Sequence, residues 1–182
     1  MSEKQFEKIT GGIWSPIFTL ARNEKKVFAT LRADGVPVYL PLRRHINLQP
    51  VISKGKNYCY KRVLHVPMFS NYLFANINFD VRQKLIKDRS VIHILDVNEY
   101  QEEKLINELN MIQELELYSE KEEIFVQNEF QVGQKVILTE GIFAGWEGIL
   151  CSIEKEDFVF INITTINASV QIKYPKQWCK VI

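Results

Sequence analysis

Apolar residues recur along this chain in two rhythms, and the switches between them mark out its elements. Ile13 to Leu20 alternates as a first strand, with Pro16 as an awkward member because proline cannot donate to a ladder. Asn23 to Arg32 changes to helical spacing, with Val27, Phe28 and Leu31 inward and Glu24, Lys25, Lys26 and Arg32 mainly outward. Asn23 is placed to cap this helix and Gly35 to stop it. Val36 to Leu42 reads as a proline-punctuated strand. The arms 43–52 and 58–66 read as a hairpin around the turn-forming cluster Ser53-Lys54-Gly55-Lys56-Asn57. A turn at Pro67 and Ser70-Asn71 leads into a strand at Leu73 to Ile77. A short helix follows from Asp80 to Asp88, with Val81, Leu85 and Ile86 inward, then a strand from Val91 to Leu95. The helix from Asn98 to Ile112 sets Leu105, Ile106, Leu109 and Ile112 against Glu102, Glu103 and Glu108.

From 113 to 128 the chain turns acidic and loses a firm pattern, which predicts a linker. Beyond it every segment has strand character: Val132 to Leu138, Ile149 to Ile153, an acidic turn at Glu154 to Asp157, Phe158 to Ile163, and Val170 to Lys173. The expected fold class is therefore α+β. Residues 1–112 make an antiparallel sheet with helices on one side, after a mobile lead-in over 1–12, and 129–182 make a small all-β, SH3-like barrel.

Composition narrows the class without naming a job. A hydrophobic fraction of 46% and a charged fraction of 25% are those of a globular protein. No stretch reaches the 18 or so apolar residues of a membrane span, and the first twenty residues lack a signal-peptide layout, so the expected location is cytoplasmic. Cys59, Cys151 and Cys179, like His45, His65 and His93, are scattered and give no disulfide framework or metal site. Nothing has the form of a phosphate loop, nucleophile elbow or paired-carboxylate centre, so neither an enzyme nor a cofactor is expected.

Charge does change the picture. Residues 1–112 hold 17 Lys and Arg against 11 Asp and Glu, net +6, whereas 113–182 hold 6 against 11, net −5. Between Asp34 and Asp80 there is no acidic residue, while Arg43, Arg44, Lys54, Lys56, Lys61 and Arg62 are interleaved with Tyr39, Tyr58 and Tyr60. Cations and rings without neutralising carboxylates suit a nucleic-acid strand, and equally a solvated hairpin.

Three stretches carry a family resemblance. Pro67-Met-Phe-Ser-Asn-Tyr-Leu-Phe74, the Glu24-Lys-Lys-Val27 helix and the glycine-framed loop Gly141-Ile-Phe-Ala-Gly-Trp-Glu-Gly148 stand in the order found in NusG-type transcription factors, which join an NGN domain to a KOW domain. Tyr39-Leu-Pro-Leu42 and Asn71-Tyr-Leu-Phe74 make the chain more similar to specialised antiterminators, the UpxY-like and RfaH-like paralogues, than to the housekeeping factor. Ser70-Asn71 stands where the latter carries Pro-Gly, and asparagine best replaces glycine in a left-handed turn.

The resemblance implies that Phe18, Phe69, Ser70, Tyr72 and Phe74 grip the clamp helices of RNA polymerase. Burying two or three such rings would contribute on the order of 4–8 kcal/mol before association costs. Arg82, Gln83 and Lys84 would meet the gate loop, although they depart from the His-Thr-Thr pattern of one member. Arg22, Lys26 and Thr30 would touch non-template DNA, and the basic face with Arg43, Arg44, Lys54, Lys56, Lys61 and Arg62 would hold upstream or non-template DNA. Ile142 and Phe143 on the KOW loop would bind a small-subunit ribosomal protein or Rho, unless Phe143 simply packs over the barrel mouth. No membrane partner is implied. The rival reading is a KOW-containing RNA-binding or ribosome-associated protein.

Overall fold

The computed structural model describes residues 6–53, 56–129, 133–153 and 156–182. The chain forms two compact units that meet in sequence at Glu123 and Ile124.

In the first unit, strands β1 (Ile13–Thr19), β2 (Val38–Tyr39), β5 (Tyr72–Ile77) and β6 (Val91–Ile94) make an antiparallel sheet in the order β2-β5-β1-β6. Pro16 sits in the centre of this sheet without breaking it. Its carbonyl accepts from the Leu95 N–H at 3.0 Å, on the side of β6. A strand residue's N–H and C=O point the same way, so the donor that Pro16 lacks falls just past the last residue of β6 and removes no bond to β5.

Helices cover both faces of the sheet, not the single face expected. Helices α1 (Glu24–Ala33) and α2 (Phe79–Lys87) pack Val27, Leu31 and Leu85 onto the face of Ile17, Leu73, Ala75, Ile77 and Ile94. Side chains alternate along a strand, so Trp14, Pro16, Phe18, Tyr72 and Phe74 point to the other face. Helix α3 (Glu99–Ser119) lies there, packed on β1, with the Trp14 N–H donating to Glu102 Oε1 at 2.9 Å. Phe6 joins this face, its ring 5.2 Å from Trp14 and 4.8 Å from Tyr39 and its backbone bonded twice to Asn110, so the lead-in is tied down from Phe6 onward.

Several charges expected outside are inside. Glu24, Glu102 and Glu108 are buried, whereas Ile86, expected inward, is exposed. Asn23 holds the cap position of α1 without a side-chain cap, donating instead to the Ala21 carbonyl. Asn98 forms a full capping box with Gln101 at the start of α3. That helix continues seven residues beyond Ile112, and Phe125–Gln127 forms a strand, so regular structure occupies most of the stretch expected to be linker.

Among the described residues, strands β3 (Leu42–Ser53) and β4 (Lys56–Pro67) pair only with each other, in register from Leu42↔Pro67 to Ser53↔Lys56. The expected hairpin is thus a long two-stranded ribbon; Lys54 and Gly55 at its tip lie outside the described residues. Its base is fastened to the last turns of α3. Glu116 accepts from Tyr39 Oη at 2.6 Å and from the Leu42 N–H at 3.1 Å, Ser119 Oγ accepts from the Arg44 N–H, and Arg44 donates to the Glu120 carbonyl. The His65 ring lies 2.9 Å from Glu120 Oε1.

The second unit is one six-stranded antiparallel sheet in the order β12-β8-β9-β10-β11-β7, with β7 at Phe125–Gln127, β8 at Gln134–Leu138, β9 at Glu147–Ile153, β10 at Glu156–Ile163, β11 at Ala168–Lys173 and β12 at Cys179–Val181. Val132 and the Glu154-Lys155 part of the expected turn lie outside the described residues. The interior is apolar, with Val136, Leu138, Val159, Ile161, Ile163, Val170 and Ile172 fully buried. Gly148 is required by crowding: a side chain there would run into Val159 and Ile161.

Candidate partner and nucleic-acid surfaces

The turn that presents the aromatic motif is locked by neighbours. Asn71 adopts φ 68°, its N–H donates to the buried Glu24 Oε1 at 2.7 Å, and its carbonyl accepts from the Thr19 N–H at 2.8 Å. The first residue of α1 thus holds the turn that begins β5. A charge-assisted bond to an inward carboxylate is stronger than a neutral one and explains why Glu24 faces in.

Only part of the expected aromatic set reaches the surface. Phe69 is 1% exposed and Phe74 is fully buried, so both are core residues that shape the motif and cannot be gripping surfaces themselves. Phe18 and Tyr72 are half-buried, stand opposite each other in the β1–β5 register and bring their rings to 4.9 Å. Burial raises the Tyr72 phenol above its ordinary value. Ser70 is exposed on the rim of a basic hollow. The remaining aromatic surface is a pair of rings, smaller than the four-ring set expected.

Arg82 and Lys84 on α2 are engaged in surface pairs, with Asp96 at 2.5 Å and Asp34 at 3.3 Å, while Gln83 is exposed. Such pairs contribute about 0–1 kcal/mol and can be exchanged for another anion.

The helix residues expected to form one nucleic-acid surface do not gather. Lys26 Nζ donates to Ser90 Oγ at 2.8 Å, and Thr30 Oγ1 bonds back to the Lys26 carbonyl. Arg22, exposed and held at φ 65°, instead lines a hollow of about 320 Å³ with Glu24, Lys25, Arg43, Val66, Pro67 and Ser70, Lys25 Nζ donating to the His65 carbonyl at 3.2 Å. Lys25 is the residue that the sequence reading missed. It belongs to the same Glu-Lys-Lys run as Lys26, and only the position of the ribbon base decides which lysine meets Arg43. Arg44 is turned to the α3 terminus. Lys61 and Arg62 are exposed on opposite faces of the ribbon, and Lys54 and the Lys56 side chain lie outside the described residues.

In the second unit Phe143 is fully buried, 4.8 Å from the Trp146 ring and 6.3 Å from Tyr174, which stacks edge-on with Trp178. Phe143 packs over the sheet as the plainer of the two expectations had it, and is not the exposed aromatic. Tyr174 Oη donates to the Glu140 carbonyl, and Gly141 and Gly145 take φ 75° and 89°, conformations that let the loop double back over this ring cluster. Ile142 is left at the tip, 62% exposed.

Among the described residues no group of three His, Cys, Asp or Glu could hold a metal ion, and no helix is long and apolar enough to cross a membrane. The chain thus joins a mixed sheet-and-helix unit that carries a basic ribbon to an all-β unit with an aromatic-pinned glycine loop, a two-module architecture whose job is not given by its fold. The family follows from residues 12–115, which match the model described as "NusG: Transcription termination factor nusG". These residues are more than half of the chain, which therefore belongs to the NusG family of non-enzymatic transcription factors that act through RNA polymerase. No match was found among curated proteins.

Proposed function

We propose that this chain is a specialised elongation and antitermination factor of the UpxY-like or RfaH-like kind, working in the cytoplasm. It seats the tip of the polymerase clamp helices against Phe18, Tyr72 and Ser70, with Phe69 and Phe74 as the rigid floor beneath. The supporting observation is the half-exposed Phe18–Tyr72 ring pair at one end of a sheet face, beside a turn fixed by Glu24. Covering the remaining exposed area of two rings contributes about 2–4 kcal/mol before association costs, enough to orient a partner and too little to hold it alone.

The rest of the affinity comes from exchange of the Arg82 and Lys84 ion pairs for a gate-loop carboxylate and from nucleic acid held by Arg22, Lys25, Arg43 and Arg62. Bridging the polymerase cleft in this way suppresses pausing and termination. The second unit, acting through Ile142, recruits another factor, either a small-subunit ribosomal protein or Rho.

The test is capture of core RNA polymerase by the wild type and by Phe18→Ala/Tyr72→Ala, with folding checked by circular dichroism. These two are the right pair because Phe69→Ala would perturb the core. Recovery should fall at least about tenfold, the equivalent of 1.4 kcal/mol. Equal recovery by a folded double variant would remove the proposed surface, and co-sedimentation of the wild type with ribosomal subunits in place of polymerase would favour a ribosome-associated role.

A further inference from the structure

The ribbon has two chemically different faces, and its register sorts them. On one face Arg44 and His65 meet the end of α3, and the pairs beyond them carry Ile46 with Val63, then Leu48 with Lys61. On the other face the successive pairs are Arg43↔Val66, His45↔Leu64, Asn47↔Arg62 and Gln49↔Tyr60. The second face is continuous at its base with the hollow where Arg22 and Lys25 join Arg43. Cations that end at a ribbon face bearing two amides and a guanidinium form a single track.

We propose that this second face seats in the major groove of duplex DNA, with Asn47, Gln49 and Arg62 on base edges and Arg22, Lys25 and Arg43 on the phosphate backbone. This rests on the reading above that the basic region holds nucleic acid, and specifies which face, which form and which residues.

Four physical arguments carry it. The major groove admits a two-stranded β-ribbon, and this ribbon is free of any other sheet. Alternate residues on a strand stand about 7 Å apart, close to two base-pair steps of about 3.4 Å, so Asn47 with Gln49 and Tyr60 with Arg62 fall in step with stacked pairs. Amides and guanidinium groups are the side chains that make paired hydrogen bonds to purine edges, and Asn47, Gln49 and Arg62 place three of them on this one face. Charge complementarity favours DNA, since no carboxylate interrupts the sequence between Asp34 and Asp80 and the one carboxylate lining the basal hollow, Glu24, is buried and accepts from the Asn71 N–H.

The experiment uses the full chain with a random-sequence 30-base-pair duplex pool and the matching single strands, read by fluorescence anisotropy at two salt concentrations and by sequencing of the bound fraction. Duplex should bind about tenfold or more tightly than single strand, and Arg22→Ala/Lys25→Ala/Arg43→Ala should weaken all sequences alike and make the salt dependence shallower by about one for each cation removed. Asn47→Ala/Gln49→Ala should keep bulk affinity within about threefold while abolishing enrichment of the sequences the wild type selects. Lys61→Ala, on the opposite face, should change affinity less than about twofold where Arg62→Ala weakens it tenfold. Preference for single strand, equal loss from Lys61→Ala and Arg62→Ala, or selection that survives Asn47→Ala/Gln49→Ala overturns the assignment. Failure to bind any nucleic acid overturns both it and the nucleic-acid part of the proposed function, while polymerase capture reports on the rest independently.

Discussion

Two loops, Pro67 to Tyr72 in the first unit and Gly141 to Gly148 in the second, face the same local problem and leave different surfaces behind. Each needs left-handed backbone, supplied by Asn71 in one and by Gly141 and Gly145 in the other. Each turns an aromatic side chain inward, Phe69 and Phe143, and both are essentially inaccessible to solvent. The first loop has a sheet behind it, so the strand that follows brings a second ring, Tyr72, back to the surface against Phe18. The second closes over its own cluster of Trp146, Tyr174 and Trp178, and the large apolar side chain it leaves mostly outside is aliphatic Ile142. A conspicuous aromatic in a turn is therefore as often the pin that fixes the turn as the residue that meets a partner. The neighbour it displaces outward is the better candidate for contact.

The comparison breaks first if the pins are not pins. Phe69→Ala and Phe143→Ala should each cost about 3–5 kcal/mol, because each empties a closed ring-sized space. Hydrogen exchange should show each loss chiefly in the unit that carries the substitution. A cost below about 1 kcal/mol for either would mean that its ring is not structural.

A smaller effect distinguishes what holds the first turn in place. Glu24→Ala leaves the Asn71 N–H without its acceptor and should cost about 1–3 kcal/mol, with faster exchange at Asn71 and Tyr72. Unchanged exchange there would show that the turn holds without the helix.

Tyr39 tests the ribbon base. Burial first, then the nearby Glu116 carboxylate and the hydrogen bond to it, push its phenol far above the ordinary value. A folded-state value raised above the unfolded one gives stability that is full below the unfolded value of about 10 and is lost as pH rises beyond it. Tyr39→Phe should therefore cost about 1 kcal/mol at neutral pH and flatten the alkaline loss of stability in urea titrations. An alkaline slope as steep as the wild type's would assign that loss to other groups.

Least of all, Ile142→Ser should leave stability within about 0.5 kcal/mol, since its side chain is mostly in water, while reducing capture of any partner of the second unit. A large loss of stability would place Ile142 among the pins.

Periodicity alone determined the kind and order of nearly every element here, because strands and helices that bury one face must repeat at 2 and 3.6 residues whatever they pack against. It also located the ribbon and the Asn71 turn, both of which depend on local chemistry. Only the tertiary structure decided where charges and rings ended up. Glu24 and Glu102 read as outward by residue type, but each is drawn in by a backbone N–H from a distant strand or turn, at Asn71 and Trp14. Helix α3 continues past Ile112 because Leu42, Arg44 and His65, more than fifty residues earlier in the chain, meet Glu116, Ser119 and Glu120, contacts invisible in an acidic stretch taken by itself. The choice between Lys25 and Lys26, and between Phe69 and Tyr72, rests on the same ground. A sequence specifies which groups seek partners, and the packing of remote segments specifies which partners are within reach.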